Sequence, residues 1–403
     1  MAWSNWEKNL AVMWLAQLVG MSAITGVVSF IPLYVTQLGV TDLAEVELWS
    51  GLIMGIAPLC AAFFGPYWGT LADRRGSKIM LIKVMLVFGS VMIAMAYVHS
   101  VHQLFVLRTI QGIFGGSVAA ALALVTSLTP KDKLDYALGI FQTAMIGGSA
   151  IGPLVGGLVA DYFGFRYAFM LFGALAYISL LIIYFYVKEN FTPVVRTTKR
   201  SVASESWQVM AIPGMKSMLF IQFLSQFAIQ IIAPILPLYI QDMAVDTTRV
   251  ASYTGAIIAV TGLTSALASV AIGRISRRFS HRMILSVGGL MAGIFFASQA
   301  LVDSIMMLGV MRGASGFCMG AMLPVSNALV AMLIPPGKRG VAYGVTNGAA
   351  LLGNVLGPLS GGTVALLLGI PYVFWCTAIL FFIVSVWSLF ALAGREGDSH
   401  APQ

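Results

Sequence analysis

Gly65-Pro66-Tyr67-Trp68-Gly69-Thr70-Leu71-Ala72-Asp73-Arg74-Arg75-Gly76-Ser77-Lys78-Ile79-Met80-Leu81 is the stretch whose reading decides the fold. A long apolar run ends in it, a cluster of charges follows, and a second apolar run begins. Outward from this point the same pattern recurs along the chain. Charges gather in short clusters, separated by apolar runs of about 20 residues, the length that crosses roughly 30 Å of hydrocarbon. The 403 residues are 59% hydrophobic and 9% charged, whereas soluble domains are about 45–50% apolar and about 25% charged. Such a chain would not stay in solution. It reads as an all-α polytopic membrane protein, since each run is continuously apolar and about twice the length of a barrel strand.

Twelve transmembrane helices are predicted, roughly over Leu10–Tyr34, Leu48–Leu71, Ile79–Val98, Gln103–Leu128, Tyr136–Ala160, Tyr167–Val187, Met218–Ile240, Ala251–Ile272, Met283–Leu301, Ile305–Leu333, Val341–Leu366 and Tyr372–Leu392. With a cytoplasmic N-terminus, 19 of the 23 Lys and Arg residues fall on the cytoplasmic side, and only Arg166 and Arg249 fall outside. Arg108 and Arg312 lie within spans. This positive-inside bias places both termini in the cytoplasm. It also explains the net charge of +8, so no nucleic-acid partner is expected. No cleavable signal peptide is evident. Cys60, Cys318 and Cys376 have no metal-ligand spacing and read as small packing residues.

The longest polar segment lies halfway along and predicts three parts: a six-helix half over residues 1–188, a cytoplasmic linker over 189–215 and a second six-helix half over 216–403. The halves align to each other at an offset of 204 or 205 residues. Pro32-Leu33-Tyr34 matches Pro237-Leu238-Tyr239, Gly69 matches Gly273, and Lys78 matches Arg282. Arg108 and Gly112 match Arg312 and Gly316, and Gly152-Pro153 matches Gly357-Pro358. Six spans per half give both halves one orientation, a parallel repeat about an axis along the membrane normal.

On these residues the chain resembles a major facilitator superfamily transporter. Gly69-x-x-x-Asp73-Arg74-x-Gly76-x-Lys78 resembles the motif between helices two and three, and Arg108-x-x-Gln111-Gly112 the fourth-helix motif. Gly148-x-x-x-Gly152-Pro153-x-x-Gly156-Gly157 resembles the fifth-helix motif of antiporters. The resemblance covers nearly the whole chain. It implies the twelve-helix drug–proton antiporter branch, a bacterial inner-membrane location, proton coupling and alternating access between two pseudo-symmetric halves. Ser77 departs from the first motif, and Arg277 and Ser280 replace its acid and glycine in the second copy.

Each motif has a physical reading. Gly69 permits close helix approach and Gly76 a tight turn. Asp73 is a candidate conformational latch, paired with Arg74, Lys78 or, across the halves, Arg339. The alternative is a solvated turn serving topology alone. Arg108 in a span costs at least ~2.5–3.5 kcal/mol if unpaired. It is either a coupling or hydrogen-bonding hub or a side chain snorkelling to the interface, and Arg312 has the same choices. Gly148, Gly152, Gly156 and Gly157 form a flat groove on helix five, bent by Pro153. By family analogy, helix eight closes onto that groove as a gate.

Amides are disfavoured against lipid and are expected to face inward. Gln17, Met21 and Thr25 recur every four residues on helix one, and Gln222, Gln226 and Gln230 on helix seven. Gln142 and Asn347, with Met145, Phe223, Phe227 and Met319, complete a neutral, amide-dotted cavity for a small-molecule substrate. All 15 acids fall at helix ends or in loops. Proton coupling would then use Asp73, Asp161 or Asp303 at the edges, or Arg108 with Gln111. Neutral, zwitterionic or weakly anionic substrates fit better than cations. No cofactor, metal or nucleotide site is seen, no enzyme constellation lies in the spans, and a monomer in the bilayer is expected. An exporter of small amphipathic compounds is the reading reached. A specific-metabolite exporter, an uptake symporter and a non-transporting sensor remain as alternatives.

Overall fold

The computed structural model describes residues 5–130, 133–187, 189, 202–276, 278–334 and 339–391. Among them the secondary structure is helical throughout, without strands. The first part of the chain holds α1 (Asn5–Gly26), α2 (Ile31–Gln37), α3 (Leu43–Arg75), α4 (Ser77–Met95), α5 (Val101–Ile113), α6 (Ser117–Leu128), α7 (Leu134–Phe163) and α8 (Phe165–Tyr186). The second holds α9 (Val202–Met210), α10 (Met215–Ile231), α11 (Leu236–Met243), α12 (Val250–Ile275), α13 (His281–Gln299), α14 (Ile305–Leu333), α15 (Arg339–Leu368) and α16 (Ile370–Ala391). Among the described residues, 11 helical segments are long and apolar enough to cross a membrane.

The expected fourth span, Gln103–Leu128, is missing from that set because it is broken into α5 and α6, of 13 and 12 residues. Gly115 and Gly116 meet at the break, and Gly116 takes a left-handed φ of +106°. Two adjacent glycines each weaken a helix by about 1 kcal/mol relative to Ala, so the helix gives way here. The matching span in the second half, α14, has Met319-Gly320 at that level and runs through unbroken. The first and seventh spans are interrupted too, by short helices that begin beside Pro32 and Pro237, where a missing N–H ends the ladder.

Helix ends follow their caps. The Asp42 carboxylate accepts from Ala44 N, so α3 starts five residues before the expected Leu48 and runs on to Arg75. Gly76, at φ +95°, ends α3 and starts α4. Ser280 occupies the matching position in the second half and instead caps α13 through Met283 N at 3.2 Å, which rationalises the loss of glycine there. Ser100 and Ser304 cap α5 and α14 in the same way. Among the described residues, the segment expected as the linker holds α9, with Val209 buried.

The chain divides into two compact units, Met1–Arg196 with Ile240–Ala259, and Thr197–Tyr239 with Val260–Gln403. In the first, a core of Met13, Leu81, Val84, Leu124, Phe141 and Ile183 ties α1, α4, α6, α7 and α8 together. Corresponding contacts recur in the second. Tyr34 Oη donates to Met95 O at 3.0 Å, and Tyr239 Oη to Gln299 O at 3.0 Å. A Cβ on Gly112 would enter the backbone of Ala57, and one on Gly316 the backbone of Thr261. The sequence repeat is thus also a repeat of close helix approaches.

Candidate functional site

The glycine groove of α7 serves two neighbours. Gly148, Gly152 and Gly156 face α1. A Cβ at Gly148 would lie 2.6 Å from Met21 Cβ, and one at Gly152 2.5 Å from Ser22 O. A Cβ at Gly156 would collide with Gly26 O. The expected partner of the whole groove, the eighth span, meets only its end. Gly157 lies against the backbone of Ala251 and Ser252, and Gly255 against the Pro153 carbonyl. The reason is helical geometry: residues 148, 152 and 156 share one face, and Gly157 is turned by one residue.

In the second unit, Gly353, Gly357 and Gly361 pack α15 onto α10 in the same manner, against Phe223 O, Gln230 Cβ and Ile231 O. Met21 and Thr25 therefore lie on the α1–α7 seam, where Thr25 Oγ1 donates to Met21 O at 2.8 Å and Gly148 O at 3.3 Å.

Asp161, between three and four turns beyond Gly148, has a structural partner that its sequence position does not reveal. Its two carboxylate oxygens accept the backbone N–H groups of Ala251 (3.2 Å) and Ser252 (2.6 Å). A carboxylate there satisfies two orphan donors of the first turn of α12 and complements the helix dipole. The chain thus ties the end of α7 to the start of α12 by one charged cap beside the tight Gly157–Ala251 contact.

At the Gly65–Leu81 stretch, Lys78 reaches the end of α8. Its ammonium donates to Tyr184 O (2.9 Å) and Val187 O (2.6 Å), the end carbonyls of α8. Glu189 completes the junction, accepting the N–H groups of Ser77 and Lys78 at 2.9 Å each. Sequence reading missed Glu189 because it stands 111 and 112 residues away from the helix start it caps. Gly69 has open space around it and Arg74 is exposed. The side chains of Asp73 and Arg339 lie outside the described residues.

Arg108 and Arg312 are 6% and 8% exposed, so neither reaches out to solvent. Arg108 Nη1 donates to Gln111 Oε1 at 2.9 Å, and the Arg312 guanidinium lies 5.7 Å from the Phe296 ring centroid. The Nε of each is buried without an acceptor among the described residues. Of the amides, Gln226 Nε2 donates to Asn354 Oδ1 at 2.7 Å, and Gln222 Oε1 accepts from Ser326 Oγ at 3.2 Å. Phe223 and Phe227 stack at 5.7 Å. Gln17 is buried, while Met145, Gln230 and Met319 are half-buried. Gln142 and Asn347, equivalent in the repeat, are both exposed on their own units.

A family model described as Major Facilitator Superfamily matches residues 13–220 and again 218–402. This chain belongs to that superfamily. Its membership makes it a multi-pass membrane transporter of small molecules rather than an enzyme. It is 33% identical over 399 residues to Multidrug resistance protein MdtG of Klebsiella pneumoniae (strain 342), covering 99% of this chain and 97% of that one. It is 34% identical over 390 residues to MdtG of Salmonella typhimurium (strain LT2), covering 95% and 96%. Among solved structures, a bacterial homolog of the human lysosomal transporter Spinster, inward-facing and unoccupied, aligns with a TM-score of 0.81 at 16% identity over 97% of this chain and 98% of that one. A D-xylose-proton symporter aligns at 0.77 and 16%, over 96% and 97%. Those two likenesses concern the fold alone.

Glu47, expected among the acids at helix ends, is buried. Glu47 sits in the second turn of α3, inside the membrane-crossing segment Leu43–Gly65, and is 3% exposed. The helix starts earlier than expected, and that draws Glu47 into it. An open groove lined by Ala94, Tyr97, His102, Gln103 and Val106 contains none of the candidate-cavity amides and neither Arg108 nor Arg312, so its chemistry is not that of the candidate site.

Proposed function

We propose that this transporter exports chemically diverse small amphipathic compounds across the bacterial inner membrane, by proton antiport and alternating access. The observation that carries the reading is the likeness, over nearly the full length of both chains, to proteins named for multidrug resistance. The site chemistry agrees with it. Gln142 and Asn347 are exposed amides within spans, and amides are poorly tolerated against hydrocarbon, so a water-filled path is their natural surrounding. Stacked Phe223 and Phe227 supply apolar surface, the combination that suits substrates varied in shape and sparing in polar groups.

In this reading the functional halves are residues 1–188 and 216–403, joined by a cytoplasmic linker over 189–215, with both termini in the cytoplasm and a monomer as the working unit. The seam of Gly157 and Asp161 with Ala251–Gly255 is the closed gate of one state, and Asp73 with Arg339 is the latch opposing it. Arg108 and Gln111 belong to the coupling machinery. The test is transport by purified protein in proteoliposomes under an imposed proton gradient, across cationic, neutral and anionic amphipathic compounds. Gradient-dependent movement of several unrelated compounds, opposite to the proton, is expected. Movement of one compound alone would point instead to a specific-metabolite exporter, and movement with the proton to a symporter.

A further inference from the structure

Three features of the first half have no counterpart in the second, and they meet at one place. By the repeat, Trp68 corresponds to Ile272, Lys83 to Val287, and Phe114-Gly115-Gly116 to Cys318-Met319-Gly320. Trp68 on α3 donates its indole N–H to Ile113 O at 2.6 Å, taking up a carbonyl orphaned by the break between α5 and α6. The Lys83 ammonium on α4 stands 3.2 Å from the centroid of that indole and 5.6 Å from the centroid of Phe114. Lys83 Nζ is buried and has no hydrogen-bond acceptor among the described residues. The neighbouring α6, SVAAALALVTSL, carries no ionisable group.

A lysine whose three N–H groups meet only aromatic faces is poorly served as permanent structure. Nor does packing require it, because the second half builds the equivalent helices with Ile, Val and Cys and a continuous α14. Snorkelling does not explain it either, since the nitrogen is covered. The break beside it points to a ligand path. Irregular backbone at membrane depth persists where protein or a water-filled cavity surrounds it, and discontinuous helices of transporters are where substrates and ions bind.

We propose that Lys83, resting on the rings of Trp68 and Phe114, is the anion-recognition group of this transporter, taking the carboxylate, phosphonate or sulfonate of an amphipathic substrate. On binding, the ammonium exchanges the indole face for charge-assisted hydrogen bonds to the anion, and the rings become the platform for the substrate's apolar body. The flexible four-carbon stem of lysine lets the charge swing between the two. The buried charges favour the same substrate class: among the described residues, Arg108 and Arg312 add two buried cations within spans, against one buried acid, Glu47.

The inference rests on the exporter reading, and its test separates the two. A fluorescent amphipathic carboxylate and its methyl ester are compared on the full-length protein, by calorimetric binding and by transport in phosphatidylcholine vesicles with and without phosphatidylglycerol. Lys83→Gln should lower the carboxylate-to-ester ratio about tenfold in both measurements, and Lys83→Arg should restore most of it. An unchanged ratio, or an equal loss for both probes, overturns the assignment. So does a ratio that responds to Lys83 only when phosphatidylglycerol is present, which would make the site one for lipid headgroups. Binding that follows the prediction without transport of either probe would sink the exporter reading and leave the anion site standing.

Discussion

Asp161→Ala should loosen the seam between α7 and α12. The carboxylate accepts two backbone N–H groups, from Ala251 and Ser252. Hydrogen bonds to a charged group are worth about 1.5–3 kcal/mol each before water replaces them. Replacing an Asp cap by Ala costs about 0.5–2 kcal/mol net, and the helix dipole adds about 0.3–1 kcal/mol. Asp161 is only half-buried, so water recovers part of the loss, and about 1.5 kcal/mol is a fair expectation, a shift of about tenfold toward the parted state. Ser252 Oγ is buried against this seam without a partner among the described residues, which makes Ser252→Cys a reporter of opening. In a background lacking Cys60, Cys318 and Cys376, a membrane-impermeant thiol reagent should label that cysteine about tenfold faster when Asp161 is Ala. Asp161→Asn, which keeps one acceptor, should fall between. A change of less than twofold in the alanine variant would refute the argument that the cap holds the seam closed.

Other outcomes are open to measurement. Asp73→Asn should reduce gradient-driven transport severalfold while size-exclusion behaviour and membrane insertion stay normal; unchanged transport removes the latch. Arg108→Ala should abolish coupled efflux in proteoliposomes, and retained pH-driven transport would leave Arg108 a structural residue. Gly116→Ala places a Cβ in a left-handed conformation that costs about 1–2 kcal/mol, so the thermal midpoint of the purified protein should fall by several degrees. An unaltered midpoint would mean that α5 and α6 rejoin at no cost.

The gross architecture was legible because the bilayer leaves few options. Runs of about 20 apolar residues with charged punctuation can only be spans, and the near-constant repeat offset transferred from sequence to contact, from Tyr34 and Tyr239 to Gly112 and Gly316. The glycine grooves were legible as grooves. Their partners were not, because a small-residue stripe says that something comes close without saying what. Gly148, Gly152 and Gly156 turned out to meet α1, and only Gly157 meets α12.

By itself, then, the sequence determined that this chain is a twofold-repeated helical membrane protein, since hydropathy, charge asymmetry and repeat spacing are local properties of the chain. Only the tertiary structure decided which charges are bound and to what. Glu189 caps a helix that starts more than a hundred residues earlier, Asp161 caps one that starts about ninety residues later, and Lys83 lies on an indole rather than at an interface. A charged side chain's role depends on the donors, acceptors and dielectric around it, and those come from segments that only folding brings together.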